Sequence, residues 1–121
     1  MDKMDRTFCH IEINTTDLKK AEKFYSDLFG WKIQSQVMPN YSLFETSNPP
    51  HGGIAKVDKV NPGDGTMFYI QVDNIDKYLT KAEGIGGKKV TPKSEIPNIG
   101  WFGVLADPDG NKIGLYTGLP K

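Results

Sequence analysis

An internal repeat limits the possible folds of this sequence more strongly than any other pattern in it. One copy begins at Phe8 and reads FCHIEINTTDLKKAEKFYSDLFGWKI; the other begins at Gly65 and reads GTMFYIQVDNIDKYLTKAEGIGGKKV. The two copies align without a gap at a constant offset of 57 positions, which places Ile13 on Ile70. A repeat of this kind indicates that one supersecondary module is used twice.

Each copy is predicted to begin with a strand followed by a helix. Apolar and more polar residues alternate with period two in the strands, so that one face packs under the helix. Apolar residues then recur at helical spacing after Asp17 in the first copy and after Asp73 or Asn74 in the second, and these are good N-caps. The more polar strand faces carry His10, Glu12, Asn14, Met67, Tyr69 and Gln71.

The remainder of each copy is predicted to form three short strands. They cover about residues 31–37, 41–46 and 53–57 in the first copy, and about residues 88–91, 100–106 and 112–117 in the second. Each module therefore reads βαβββ, over about 7–60 and 64–118, within a single α+β domain of residues 1–121. A helix covers only one face of each module, so we expect the two open faces to form a half-barrel cleft that binds a ligand.

The composition excludes several classes of function. Fifteen basic and fifteen acidic residues give a formal net charge of +0, so no long-range field favours nucleic acid or an anionic membrane. No apolar run approaches the roughly 20 residues that span a bilayer. Cys9 is the only cysteine, which excludes an intrachain disulfide and suits the cytoplasm. We expect Cys9 to be a core residue rather than a nucleophile.

Three stretches of the chain resemble a known family. They are His10–Trp31, Gly86–Phe102 with its GWF motif, and Asp107–Asn111 with its DPDGN motif. In these stretches the sequence is similar to the glyoxalase/bleomycin resistance/dioxygenase superfamily, and most of all to small bacterial members without an assigned reaction. The resemblance implies the vicinal oxygen chelate fold, built from two βαβββ modules, and a homodimer.

The resemblance also implies a divalent metal site, and the expected ligands are mostly missing. His10 matches the first metal ligand of the family. Met67 stands at the equivalent position of the second module, Gly114 replaces the usual glutamate, and the remaining position lies near Gly53–Ala55. We therefore expect no cofactor, with Zn, Ni, Mn or Fe as the alternative. His51 stands in a Pro/Gly loop and is expected to be exposed.

These observations favour a small-molecule-binding protein of the bleomycin-resistance type without the family metal centre. The alternative is an enzyme, either a lactoylglutathione-lyase-like lyase or isomerase or a dioxygenase, in which His10 or Glu12 acts as a base or a metal ligand. A rearranged metal set of His10, Glu12 and His51 belongs to that alternative. A protein-interaction module is the third hypothesis. The expected ligand contacts are Asn14, Tyr41, Met67, Tyr69, Gln71 and Trp101, and Trp101 is equally compatible with the core because a one-residue change of register reverses its face.

Overall fold

The computed structural model describes residues 6–120. The chain divides into two compact units, one formed by residues 10–67 and the other by residues 6–9 together with residues 68–120. The elements in chain order are β1 (Phe8–Thr15), α1 (Leu18–Phe29), β2 (Lys32–Met38), β3 (Tyr41–Glu45), β4 (His51–Lys56), β5 (Thr66–Gln71), α2 (Ile75–Gly84), β6 (Lys88–Ile96), β7 (Gly100–Ala106) and β8 (Lys112–Gly118). This order confirms the α+β class and the repeated βαβββ pattern.

Two strands extend beyond their predicted bounds by more than one residue. β4 begins at His51 rather than at residue 53, because His51 already pairs with His10 of the parallel strand β1. β6 continues to Ile96 rather than ending at Thr91, because its pairing with β7 resumes at Ser94 after a register shift. The intervening Pro92 is tolerated since β6 is the last strand of its sheet and needs no backbone donor on its outer side.

The unit of residues 10–67 has its strands in the order β2-β3-β4-β1, with β1 and β4 parallel and the other pairs antiparallel. Asp17 caps α1 by accepting a hydrogen bond from the Lys20 backbone N–H at 3.1 Å, as predicted. Gly30, at φ 71°, ends the helix in the left-handed conformation. The core lies between α1 and the sheet, around the buried residues Leu18, Phe44 and Ile54, with Ile11, Ile13, Ala21, Tyr25, Trp31 and Ile33 packed against them.

A buried polar contact ties α1 to the sheet in this unit. Ser42 on β3 is fully buried, donates its hydroxyl to the Glu22 carboxylate on α1, and accepts from the Gln36 backbone N–H at 2.9 Å. Ser35 donates to the same carboxylate at 3.0 Å. These bonds satisfy a polar group inside the core and hold one face of the sheet against the helix. The opposite face carries His10 and Glu12.

The other unit has its strands in the order β5-β8-β7-β6. Asn74 caps α2 by accepting from the Lys77 backbone N–H at 3.0 Å, which selects it over Asp73 as the N-cap. The core around Val72, Ile75, Leu79 and Leu115 is buried between α2 and the sheet. In the part of the chain that the structure describes, neither helix is long and apolar enough to cross a membrane.

Candidate functional site

The candidate site of the unit 10–67 lies on the sheet face opposite α1. Residues of β1 and β4 that pair in parallel register share a face, so His10 lies beside His51 and Glu12 beside Gly53. Tyr41 on β3 reaches the same face, and a Cβ atom added to Gly53 would stand 2.1 Å from its hydroxyl oxygen. Gly53 therefore provides the space in which the Tyr41 side chain lies across the sheet.

The Tyr41 hydroxyl joins His10 to Glu12. Its oxygen is 2.7 Å from Nε2 of His10, and the two rings stack with centroids 6.4 Å apart. The same hydroxyl forms a hydrogen bond with the Glu12 carboxyl group. An ionised carboxylate only accepts hydrogen bonds, so Tyr41 then donates to Glu12 and accepts from His10. The structure thus brings three of the predicted site residues together on one hydroxyl.

Burial acts on both ionisable groups of this cluster. Burial lowers the pKa of His10, because the charged imidazolium loses water. Burial also raises the pKa of Glu12, and the hydrogen bond from Tyr41 opposes that rise by stabilising the carboxylate. Both shifts favour the neutral forms. Glu12 and His10 therefore have the environment that general acid–base groups use, a buried position with a hydrogen-bond partner.

The pKa shift of His10 predicts a pH dependence of stability. The pKa of His10 in the folded state lies below its value in the unfolded chain. As the pH falls below about 6.5, the unfolded chain therefore binds more protons than the folded protein. The free energy of unfolding decreases in this range by up to about 1.4 kcal/mol per pH unit. We expect the His10→Gln variant to lose this slope between about pH 7 and 5 in urea unfolding. A His10→Gln variant that keeps the full slope would contradict the prediction.

A cavity of about 180 Å³ lies next to this cluster, within the same unit. His10 and His51 line it, and the remaining lining residues come from β2, β3 and β4: Lys32, Gln34, Leu43, Phe44, Glu45 and Gly52. The expectation that His51 is an exposed loop residue is wrong, because it begins β4 and is half-buried beside His10. Local sequence patterns did not predict that β4 pairs with β1 from His51 onward. This pairing places His51 on the same sheet face as His10, because residues in parallel register share a face.

The other unit contains a second close contact between a tyrosine and a glycine. Tyr69 on β5 pairs in register with Gly114 on β8, and a Cβ atom added to Gly114 would stand 2.4 Å from the Tyr69 ring. Gln71, two residues further along β5, pairs with Tyr116. The Tyr69 ring therefore occupies the space that a longer side chain at position 114 would need.

The residues present do not fit the metal site that the resemblance implies. One expected ligand position is Gly114 and another lies near Gly53–Ala55. Neither Gly114 nor Gly53 has a side chain, and each is covered by a tyrosine ring. Met67 has only a thioether, which is a poor ligand for a hard divalent ion. Across residues 6–120, no three His, Cys, Asp or Glu side chains are grouped closely enough to hold a metal ion. The rearranged set of His10, Glu12 and His51 is therefore not assembled in this structure.

Two other expected ligand contacts do not line this cavity. Trp101 packs against the core cluster under α2, and its ring lies 5.0 Å from Nζ of Lys93. Its register places it on the core side of β7, so we leave Trp101 out of the proposed ligand contacts. Asn14 lines a separate depression at the start of α1, with Asp17 and Phe24 among its neighbours. Cys9 is half-buried, and burial raises the pKa of its thiol, which disfavours the nucleophilic thiolate.

Comparison with known proteins identifies relatives over nearly the whole chain. The model of the Glyoxalase/Bleomycin resistance protein/Dioxygenase superfamily matches residues 7–115. A glyoxylase-like domain-containing protein from Didymella fabae is 32% identical over 116 residues, a match that covers 88% of this chain and 90% of that protein. The putative glyoxylase CFP32 from Mycobacterium bovis is 30% identical over 113 residues, which is 88% of this chain and 43% of that protein.

A solved structure supports the same assignment at the level of the fold. Methylmalonyl-CoA epimerase from Mycobacterium tuberculosis is similar with a TM-score of 0.74 and 15% identity, covering 99% of this chain and 93% of that one. An identity this low is evidence of a shared fold only. Together with the family match and the two βαβββ modules, it shows that this chain has the vicinal oxygen chelate fold and belongs to the Glyoxalase/Bleomycin resistance protein/Dioxygenase superfamily.

Proposed function

We propose that this chain binds a small polar molecule on the sheet face that carries His10, and that it does so without the family's metal centre. The observation that carries the proposal is a pair of glycines covered by tyrosine rings: Gly114 at one expected ligand position, and Gly53 in the stretch where another was expected. The cavity beside His10 supplies a binding volume with both imidazoles in its wall. Concave sites with a few convergent polar groups are the usual binding sites for small molecules.

Further parts of this proposal follow from the sequence. Asn14, Tyr41, Met67, Tyr69 and Gln71 remain proposed ligand contacts, as side chains on the more polar faces of β1, β3 and β5. We also propose that the two modules act as one domain, and that the protein is a cytoplasmic homodimer. Light scattering at low and high protein concentration tests the dimer, and a monomer at both would reject it.

An enzyme of the lyase, isomerase or dioxygenase type is the second candidate. The observation in its favour is the pair of hydrogen bonds that joins His10 and Glu12 through the Tyr41 hydroxyl. In this candidate, His10 or Glu12 takes a proton from the substrate as a general base. The names of two relatives, a glyoxylase-like domain-containing protein and a putative glyoxylase, agree with such a reaction. A glyoxalase assay on a methylglyoxal–thiol adduct separates the candidates, and binding without turnover is the expected result.

Metal analysis and a ligand screen test the proposed function directly. Elemental mass spectrometry after incubation with Zn, Ni, Mn and Fe(II) is expected to find far less than one metal ion per chain. A metabolite panel is expected to contain ligands that raise the Tm, because a ligand that binds only the folded state stabilises it. The Lys81→Met variant, which changes an exposed residue of α2, is expected to respond like the wild type.

The opposite pattern would reject the metal-free proposal. Tight metal at about one ion per chain, lost in His10→Ala and retained in Lys81→Met, would mean that His10 is a ligand in a site that the chain completes with other donors. Lyase, isomerase or dioxygenase chemistry would then become the leading candidate. A panel without any stabilising ligand would reject the binding function itself.

A further inference from the structure

Four ionisable side chains form a row across the sheet of residues 10–67. Lys32 on β2 pairs with Glu45 on β3, the pairing of Phe44 with Gly52 places Glu45 beside His51, and His51 pairs with His10. Residues paired in register share a face, so all four point to the side opposite α1. We call Lys32, Glu45, His51 and His10 the polar row. At about 4.8 Å between strands, the row is about 14 Å long.

The polar row borders the cavity, which is partly open to solvent. The cavity of about 180 Å³ corresponds to about six water molecules at about 30 Å³ each. All four members of the row line it, together with the half-buried Leu43, which lies two residues before Glu45 on the same strand face. The site therefore has room for a ligand the size of a small amino acid, with a small apolar part against Leu43.

Lys32 and Glu45, at one end of the row, carry opposite charges and do not form an ion pair with each other. Lys32 and Glu45 are both exposed and stand opposite each other on antiparallel strands, and the structure places no ion pair of 4.0 Å or less between these two described residues. The ammonium is available to a carboxylate, and the carboxylate is available to an ammonium. Gln34, the next residue of β2 on this face, adds an amide to the cavity wall.

The orientation of the His51 ring supplies a further donor. Its Nδ1 accepts a hydrogen bond from the Thr46 backbone N–H at 3.1 Å. A neutral imidazole that accepts at Nδ1 carries its hydrogen on Nε2, so the other nitrogen of His51 is a donor. The donor groups of Lys32, Gln34 and His51 border the cavity together with a single carboxylate, that of Glu45.

We infer that the cavity bordered by the polar row binds a small zwitterion, an α-amino acid with a short apolar side chain. The ligand carboxylate lies against Lys32, its ammonium group against Glu45, and its apolar side chain against Leu43. The Nε2–H group of His51 donates to the carboxylate. This inference rests on the proposed function, because it names the class of ligand for the same face of the sheet.

The two histidines allow a direct test, because the chain contains no others. The imidazole NMR signals, assigned with His51→Gln, are followed during titration with L-valine. Isovalerate, which lacks the ammonium group, and isobutylamine, which lacks the carboxylate, are the matched probes. We expect valine to produce saturable shifts of the His51 signal. Each analogue is expected to bind at least about tenfold more weakly than valine, since each lacks one charge-assisted contact.

Variants of the polar row complete the test. Lys32→Met and Glu45→Gln are each expected to weaken valine binding by about tenfold or more, whereas the exposed α2 variants Lys81→Met and Glu83→Gln leave it unchanged. Isovalerate or isobutylamine binding as tightly as valine would overturn the zwitterion inference. If panel ligands shift the His51 signal and valine does not, the ligand class is wrong while the proposed function stands. If neither valine nor any panel ligand shifts the His51 signal, both the ligand class and the proposed function are wrong.

Discussion

Replacing Gly52 by alanine is expected to destabilise the fold by about 3 kcal/mol or more. A Cβ atom at this position would stand 2.0 Å from the Ile11 carbonyl oxygen and 2.4 Å from the Phe44 ring. Phe44 is buried against α1 and Ile11 is part of the neighbouring strand, so neither can move without disturbing the core. Equilibrium unfolding in urea measures the loss. We expect most of the variant to be unfolded or aggregated if wild-type stability is at the low end of the usual range.

Gly84→Ala is the matched control for this prediction. Gly84 ends α2, and a Cβ atom added there meets nothing within 4 Å. Alanine restricts the unfolded chain more than glycine does, so this variant is expected to be as stable as the wild type or more stable by about 0.5–1 kcal/mol. Equal stability of Gly52→Ala and Gly84→Ala would contradict the close approach of β4 to β1 at Gly52.

Replacing Gly114 by alanine is expected to cost about 1–3 kcal/mol, because the new Cβ would stand 2.4 Å from the Tyr69 ring. The double variant Tyr69→Ala/Gly114→Ala removes the ring that causes the clash. We therefore expect the second substitution to cost less in the Tyr69→Ala background than in the wild type, with a coupling of about 0.5–3 kcal/mol in a double-mutant cycle. Independent effects of the two substitutions would show that the ring does not occupy this space.

The same contact bears on the missing metal ligand. Position 114 is where the family usually has a glutamate, and the Tyr69 ring covers it. Gly114→Glu by itself is therefore expected to lower stability without creating metal binding, as measured by elemental mass spectrometry. The Tyr69 ring packs against position 114 because glycine leaves that space empty, and a metal-binding side chain at this position would displace the ring.

Several features of this protein could be predicted from local sequence patterns. The repeat, the alternation in β1 and β5, and the cap at Asp17 gave the βαβββ order, because each depends on residues close together in the chain. The β4 boundary and the position of His51 could not be predicted in the same way. They depend on the pairing of β4 with β1, which lies about 40 residues away in sequence.

Local sequence patterns were sufficient to predict the module, the fold family and the placement of His10 and Glu12 on one strand face, because period-two alternation is a local property of the chain. Which side chains from other strands join His10 and Glu12 depends on strand pairing, which these patterns do not contain. Register between β1, β4, β3 and β2 brings His51, Glu45 and Lys32 into one row with His10. Register also assigns Trp101 to the core, since a shift of one residue would have turned it to the opposite face.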